Sequence, residues 1–483
     1  MSSKKYKLHF ASSIIQTVKE VKAFIFPALI VLAINRFNIN INSFQSVLEL
    51  LPVIVIVSLF VYSIIRGITT WLTFTYWIED EELKTEYGLL FKKKRFIPIE
   101  RIQNLNYNEG VIHRLFNVVQ ISIETAGGTT SVADVELSAI TKNAASEMER
   151  LIHQSYKRDD QNEQPSQVNE IIFKMKNEKL LLLATTSSSV GVVLAGIAAL
   201  FSQIVEIIPF DKISVHFSLL QHSSLFLLTL LIATALLIAW IISVAMSFLS
   251  YYDFTLSYFE DRLEISRGLL EKKKITIPVG KIQAVKIVEN PLRQLFGYAT
   301  VTIENAGSSM TSASEKKVVL LPLIKKSEIQ SILQNIMDID LNVVDGTYSP
   351  KRARPLFYRK YVMVLLAFTV IATIYISNYS LALLLLIPPF AYLGFIQHRN
   401  ACFKLSDHQL VVQYRVISKV LYIVKHNKVQ AFEMTQTVFQ KHLQIYTGKV
   451  YVMGNMGGVK IKIYNQTKEA LNKVYLFIRK RDV

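Results

Sequence analysis

The sequence predicts three tandem units, each a pair of membrane-spanning helices followed by an α+β roll of strands closed by one helix. Three observations carry that prediction. The 483-residue chain is 51% apolar and only 19% charged, with mean hydropathy +0.31, where an ordinary soluble chain carries about a quarter charged residues. Its apolar residues gather in runs of bilayer length. One block of sequence then recurs, at fixed offsets, after each pair of runs.

Crossing about 30 Å of hydrocarbon takes about 20 apolar residues as helix, because only a helix satisfies its backbone polar groups internally. Leu180 to Val205 holds no Asp, Glu, Lys or Arg, and Leu225 to Met246 is almost wholly aliphatic. Tyr361 to His398 is equally free of those residues, but a single helix of that length would measure about 57 Å. Two crossings with a turn at Ser377 to Ser380 fit better. Near the N-terminus Leu50 to Ile65 reads as a span. Ala23 to Ile34 is short and contains Pro27, so it reads either as a span or as a re-entrant segment. No small-residue cleavage site follows it, which argues against a removed signal peptide. About six membrane helices result.

Of Lys and Arg, the connectors around residues 35–46, 206–218 and 377–380 hold only Arg36 and Lys212, whereas Lys4, Lys5, Lys7, Lys19 and Lys22 precede the first span. Basic residues accumulate on the cytoplasmic side, so both termini and all large segments are expected in the cytoplasm. The net charge of +17 points to a polyanionic partner; with this apolar content, anionic membrane lipid fits better than nucleic acid. Cys402 is the only cysteine, which excludes an intrachain disulfide and any multi-cysteine metal site.

Thr73 to Gly127 aligns without a gap on Asp253 to Gly307 at an offset of 180, with 20 identities in 55 positions. They include Gly88-Leu89-Leu90 on Gly268-Leu269-Leu270, the triple lysines, Ile97-Pro98 on Ile277-Pro278, and Ile123-Glu124 on Ile303-Glu304. An eroded third copy lies 147 residues beyond the second, placing Leu410 on Leu263, Lys428-Val429-Gln430 on Lys281-Ile282-Gln283, and Gly454 on Gly307. It has Lys419-Val420-Leu421 and Lys425 where the others carry three lysines and a proline.

Val119 to Glu124, Val301 to Glu304 and Val459 to Ile463 alternate apolar and polar residues, the period of half-buried antiparallel strands. Ile329, Ile332, Leu333 and Ile336 recur at helical spacing after an expected N-cap at Ser327, as do Leu471, Val474, Tyr475 and Ile478. The expected boundaries are a first hairpin at 1–72 and a domain at 73–155, a linker at 156–178, a second hairpin at 179–250 and a domain at 251–338. A second linker at 339–358, a third hairpin at 359–398 and a divergent domain at 399–483 complete the chain.

Two hydrophobic segments followed by GLL-x-KKK-x-x-IP-x-x-(R/K)IQ resemble the bacterial pleckstrin-homology-like (PH-like) membrane proteins of the YdbS/YdbT kind, and the three-copy length that of their larger members. The resemblance covers essentially the whole chain. It implies PH-like barrels each capped by a C-terminal helix, a cytoplasmic-membrane location, a smaller single-domain member of the family as partner, and a link to immunity against membrane-active bacteriocins.

Lys92, Lys93, Lys94 and Arg95, with their counterparts Lys272, Lys273 and Lys274, are the candidate lipid or partner contacts. They are expected at a hairpin tip near a membrane span, where each basic residue can add about 1 kcal/mol of attraction to an anionic leaflet. The alternative is a solvated turn that protects a sheet edge. Gly88, Gly268, Gly127 and Gly307 read as bends, Pro98 and Pro278 as edge or bulge positions, and Gly454 to Gly458 as a hairpin turn. No phosphate-loop, nucleophile-elbow, zincin or dinucleotide motif occurs. His216 and His222 lack further ligands, and Glu124 and Glu304 fall on the polar phase of strands and are expected in solvent. No catalytic, cofactor or metal residue is nominated. The reading is a non-enzymatic membrane scaffold or sensor; the competing one is a component of an export or transport system, whose usual sign, an ionisable residue deep in a span, is missing. The hydroxyl patch Thr185 to Ser189 reads as a pathway or as helix packing.

Overall fold

The computed structural model describes residues 5–34, 44–89, 91–125, 135–157, 170–186, 224–259, 261–305, 318–341, 345–375, 378–454 and 458–479. In the first repeat a short strand, β1 (Tyr6–Lys7), leads into helices α1 (Ala11–Ile34) and α2 (Phe44–Thr73). Three strands follow almost at once, β2 (Thr75–Glu79), β3 (Glu82–Tyr87) and β4 (Lys93–Pro98), then a 3-10 turn, β5 (Ile102–Glu109), the short helix α3 (Val111–Leu115), β6 (Val118–Thr125), β7 (Val135–Thr141) and the closing helix α4 (Lys142–Lys157).

The second repeat repeats this order as β8 (Glu170–Lys174), α5 (Asn177–Thr185), α6 (Ser224–Tyr251), β9 (Thr255–Phe259), β10 (Arg262–Arg267), β11 (Lys272–Pro278), β12 (Ile282–Glu289), α7 (Pro291–Leu295), β13 (Tyr298–Asn305), β14 (Val318–Lys325) and α8 (Lys326–Met337). The third comprises β15 (Thr347–Tyr348), α9 (Arg354–Tyr375), α10 (Ile387–Asn400), β16 (Cys402–Leu405), β17 (Gln409–Arg415), β18 (Lys419–Lys425), β19 (Val429–Thr435), α11 (Val438–His442), β20 (Tyr446–Val452), β21 (Val459–Gln466) and α12 (Lys468–Arg479). Segments read as linkers from composition therefore contain β8 and β15.

Those early strands explain how the membrane helices are held. β1 pairs with β2, β8 with β9 and β15 with β16, all antiparallel. Each helical pair is thus the loop of a β-hairpin, clamped at its base by backbone hydrogen bonds. Four described helices are long and apolar enough to cross a bilayer: Leu51–Thr73, Ala233–Tyr251, Lys351–Tyr375 and Ser380–Asn400. The third hairpin accordingly splits where the polar residues stand. The expected span Ala23 to Ile34 is part of the longer α1, which carries Lys19, Glu20 and Lys22. Most of the span expected at Leu180 to Val205 lies outside the described residues, as do the connectors 206–218, Gly127, Gly307, His216 and His222.

Within a repeat the two half-sheets share one core, in the first repeat Tyr76, Leu83 and Ile97 from one half with Ile121, Ile123 and Leu137 from the other. The expected closed barrels are not what the strands make. The sheet orders are β1-β2-β3-β4, β7-β6-β5-β11-β10-β9-β8, β14-β13-β12-β18-β17-β16-β15 and β19-β20-β21. Each repeat pairs the second half of its strands with the first half of the next repeat, so the barrels stay open and the repeats are stitched into one β array.

Stitching also overturns the expectation for Glu124 and Glu304. Both are buried, because the following repeat covers the face that alternation would leave in water: Lys281 stands near Glu124, and Tyr414 and Tyr422 near Glu304. Asn106 Nδ2 donates to Glu124 Oε1 at 3.0 Å. Helix α8 likewise starts at Lys326 with Lys325 as its N-cap, two residues earlier than the Ser327 expected.

Candidate membrane-facing site

The triple lysines run from the hairpin tips into the strands that follow. Lys92 lies in the first tip, between β3 and β4, as expected, whereas Lys93, Lys94 and Arg95 begin β4 and Lys272, Lys273 and Lys274 begin β11, just after the tips. Gly88 and Gly268 take φ +108° and +109°, and a Cβ there would stand 2.2 Å from the Phe91 carbonyl oxygen and 2.0 Å from that of Glu271, so only glycine makes the bend. Pro98 and Pro278 close their strands and open the 3-10 turns.

The structure gives the two triplets different surroundings. In β11 the triplet lies against β5, with Lys272 opposite Glu109, Lys273 opposite Asn108 and Lys274 opposite Tyr107. Lys274 Nζ sits 3.1 Å from both Glu149 and Glu264 and 5.6 Å from the Tyr107 ring centroid. Burial depresses its pKa, but the two carboxylates more than reverse this and leave it raised. In the first repeat Lys92, ahead of β4, and Lys93, Lys94 and Arg95, within it, are all exposed. Lys92 and Lys94 approach Glu86 at 4.0 and 3.9 Å, and neither Lys93 nor Arg95 has an ion-pair partner among the described residues.

Every tip hangs from the end of the second helix of its hairpin. Gly88 N–H donates to Thr73 Oγ1 at 3.4 Å, Leu269 N–H to the Leu249 carbonyl at 2.9 Å, and Gln397 Nε2 to the Val416 carbonyl at 2.6 Å. At that level the tips expose Leu89, Phe91, Leu270, Val416 and Ile417, and the short helices expose Leu115, Leu295, Phe296, Val438 and Phe439. Arg114 Nη1 donates to the Leu269 carbonyl at 2.6 Å, joining the short helix of one repeat to the tip of the next. A row of bare apolar side chains where helices leave the bilayer matches the amphipathic interface.

Two repeated features missed in the sequence hold that rim. Gly67, Ser247 and Gly394 occupy one repeat position; a Cβ at Gly67 would stand 2.4 Å from Thr17 Oγ1, and one at Gly394 2.6 Å from Tyr358 Cα. The helices of a hairpin cross there at small residues, a signal readable by extending the 180-residue offset upstream of Thr73. His113, Arg293 and Gln440 are the second set, buried in the three short helices. They bond respectively to the Ser138 carbonyl (3.1 Å), Thr186 Oγ1 (3.1 Å) and Asn465 Oδ1 (2.7 Å). Thr186, from the hydroxyl patch, is therefore a packing contact.

The third repeat, which lacks the triplet, has a cleft of about 790 Å³ between α9, α11 and β17. Arg359, Lys360, Arg415, Lys449 and Lys462 line it without a carboxylate. Arg359 lies 3.7 Å over the Phe439 ring, and Lys449 is held 2.8 Å from Glu433. The cleft runs out to Met363 and Val364, exposed on membrane helix α9. Among the described residues no group of three or more His, Cys, Asp or Glu could hold a metal. Cys402 is buried, and burial pushes its thiol up to about 11, far from thiolate chemistry.

Residues 25–156, 192–339 and 362–475 each match the family model described as bacterial PH domain. The chain is also 32% identical over 453 residues, 91% of its length, to the UPF0699 transmembrane protein YdbT of Bacillus subtilis (strain 168), of which the match covers 90%. Three matches stand on three copies of one fold, and the helices between their strands are of membrane length: the chain belongs to the bacterial PH-domain family and is a transmembrane protein.

Proposed function

We propose that the protein is a non-enzymatic scaffold of the bacterial plasma membrane whose PH-like repeats face the cytoplasm and hold anionic phospholipid. The observation that carries the reading is the third-repeat cleft, basic at Arg359, Lys360 and Lys462 and apolar one turn further along α9 at Met363 and Val364. A phosphate among Arg359, Lys360 and Lys462 with its acyl chains along Met363 and Val364 fits that polarity. The apolar tips seat the other repeats on the same leaflet, and three tethered domains add avidity to weak individual contacts. Defence against membrane-active peptides rests on the family resemblance.

The test uses the full chain in nanodiscs of phosphatidylcholine with or without phosphatidylglycerol, scoring retained lipid by native mass spectrometry. Wild-type protein should retain phosphatidylglycerol selectively, and Arg359→Gln with Lys360→Gln and Lys462→Gln should abolish the preference, at about 1 kcal/mol per basic residue. Equal retention of both lipids by wild type, or unchanged selectivity in the triple variant, would sink the reading.

A further inference from the structure

The stitched array has two unfinished ends. Among the described residues β4 pairs only with β3, and β19 only with β20. Their equivalents are both joined: β11 and β18 occupy the position of β4, β5 and β12 that of β19. We propose that a second copy of this chain docks head to tail, its β19 adding to the free edge of β4 in the register of the two internal joints. This goes beyond the lipid reading and does not depend on it.

The register is fixed twice over. Lys272 stands opposite Glu109 in the first joint and Lys419 opposite Glu289 in the second. By the repeat offsets, Lys92, Lys272 and Lys419 are one position, and Glu109, Glu289 and Gln436 another. The same register between copies sets Lys93 opposite Thr435, Lys94 opposite Met434, Arg95 opposite Glu433 and Phe96 opposite Phe432. Directly opposed residues share a face of the sheet, so Arg95 meets an opposite charge and Phe96 an aromatic ring. Lys441 takes the place of Arg114 and faces the Leu89 carbonyl as Arg114 faces that of Leu269.

Burial supports the same occupant. Phe96 is 56% exposed and Met434 40%, whereas Thr276 and Ile287, at the same positions inside joints, are buried. Lysines often protect a lone edge from pairing, yet Lys272, Lys273 and Lys274 sit in a paired strand, so this triplet does not prevent it. Such a contact uses different surfaces on the two copies and either closes into a ring or extends.

Full-length chains in detergent, one tag carrying Lys93→Cys and another Thr435→Cys, test it directly, since native Cys402 is buried. Mild oxidation should cross-link the two tags to each other and neither tag to itself. Arg95→Glu or Glu433→Arg alone should cut the cross-link about tenfold, and the two together, one on each chain, should restore it. No cross-link between chains that melt like wild type, no rescue by the charge swap, or a one-repeat relative found on β4 and excluding the second copy would overturn the proposal. A lipid-binding failure in nanodiscs would leave the cross-link untouched, so the two readings fail separately.

Discussion

The two joints between repeats share a ladder and differ in what fills it. In the first, β11 brings Lys272, Lys273 and Lys274 against Glu109, Asn108 and Tyr107, and Asn108 Nδ2 donates to Glu271 at 2.6 Å. In the second, β18 brings Val420, Leu421 and Ile423 against Val288, Ile287 and Val285, and Val411 and Ile423 complete the core of the second repeat. The Lys–Glu position at the ladder end is common to both, while the residues behind it changed from ionic to apolar. The backbone register constrains the fold, and the triple lysine is one of at least two ways to cover it. That accounts physically for the loss of the triplet from the third copy.

The largest expected effect comes from placing a carboxylate at one position in both joints. Val420→Asp would leave a charge unpaired opposite Val288 and should cost about 3 kcal/mol or more. Lys273→Asp, its positional equivalent, opposite Asn108 and 3.5 Å from the half-exposed Glu271, replaces a partly exposed ion pair with a screened repulsion and should cost less, about 1 kcal/mol. Hydrogen exchange across β12 and β18 should rise steeply in the first variant, with β5 and β11 little changed in the second. Equal effects would mean that the joints are energetically alike.

Removing a lysine should give opposite signs. Lys274→Met leaves Glu149 and Glu264 without the ammonium between them and should lower thermal stability by about 1 kcal/mol; Glu149→Gln should recover part of the loss. Lys419→Met should be neutral or stabilising, because burial lowers the pKa of Lys419 and the Glu289 carboxylate, 3.9 Å away, does not fully offset it. A destabilised Lys419→Met variant would contradict the contrast.

How far the sequence revealed this follows from which contacts are local. Gly88 and Gly268, Ile97-Pro98 and Ile277-Pro278 serve turns closed within a few residues, so self-alignment finds them and with them the repeat. The clamp strands are a different matter: Tyr6–Lys7 and Thr347–Tyr348 are two residues each, and Tyr6 meets Tyr76 only after the chain has made a helical pair. Alternation in β6 and β13 suggested one wet face, because it reports the strand and not what the next repeat lays over it. The basic cleft was invisible for the same reason, its lysines and arginines coming from α9, β17, β20 and β21. The triplets stood out as charge, but neighbouring strands decide whether that charge is free or paired.

A smaller effect is expected from salt. The Lys274 cluster is partly exposed, so about 1 M salt, with a screening length of about 3 Å, should loosen the first joint and spare the apolar second.

Alkaline titration should separate the joints most finely. The folded-state pKa of Lys274 is raised, so its stabilising contribution is fully present below the ordinary lysine value and is lost as pH climbs through the raised one. Lys419 is lowered, so its charge is a cost at neutral pH, relieved as pH rises through its folded value toward the ordinary one. Fluorophore pairs across each joint of the full chain should therefore show the second holding or tightening first and the first opening later, at higher pH. Lys274→Met should remove the late opening and leave the early change in place. Identical responses at both joints would mean that neither lysine senses the carboxylates its strand places beside it.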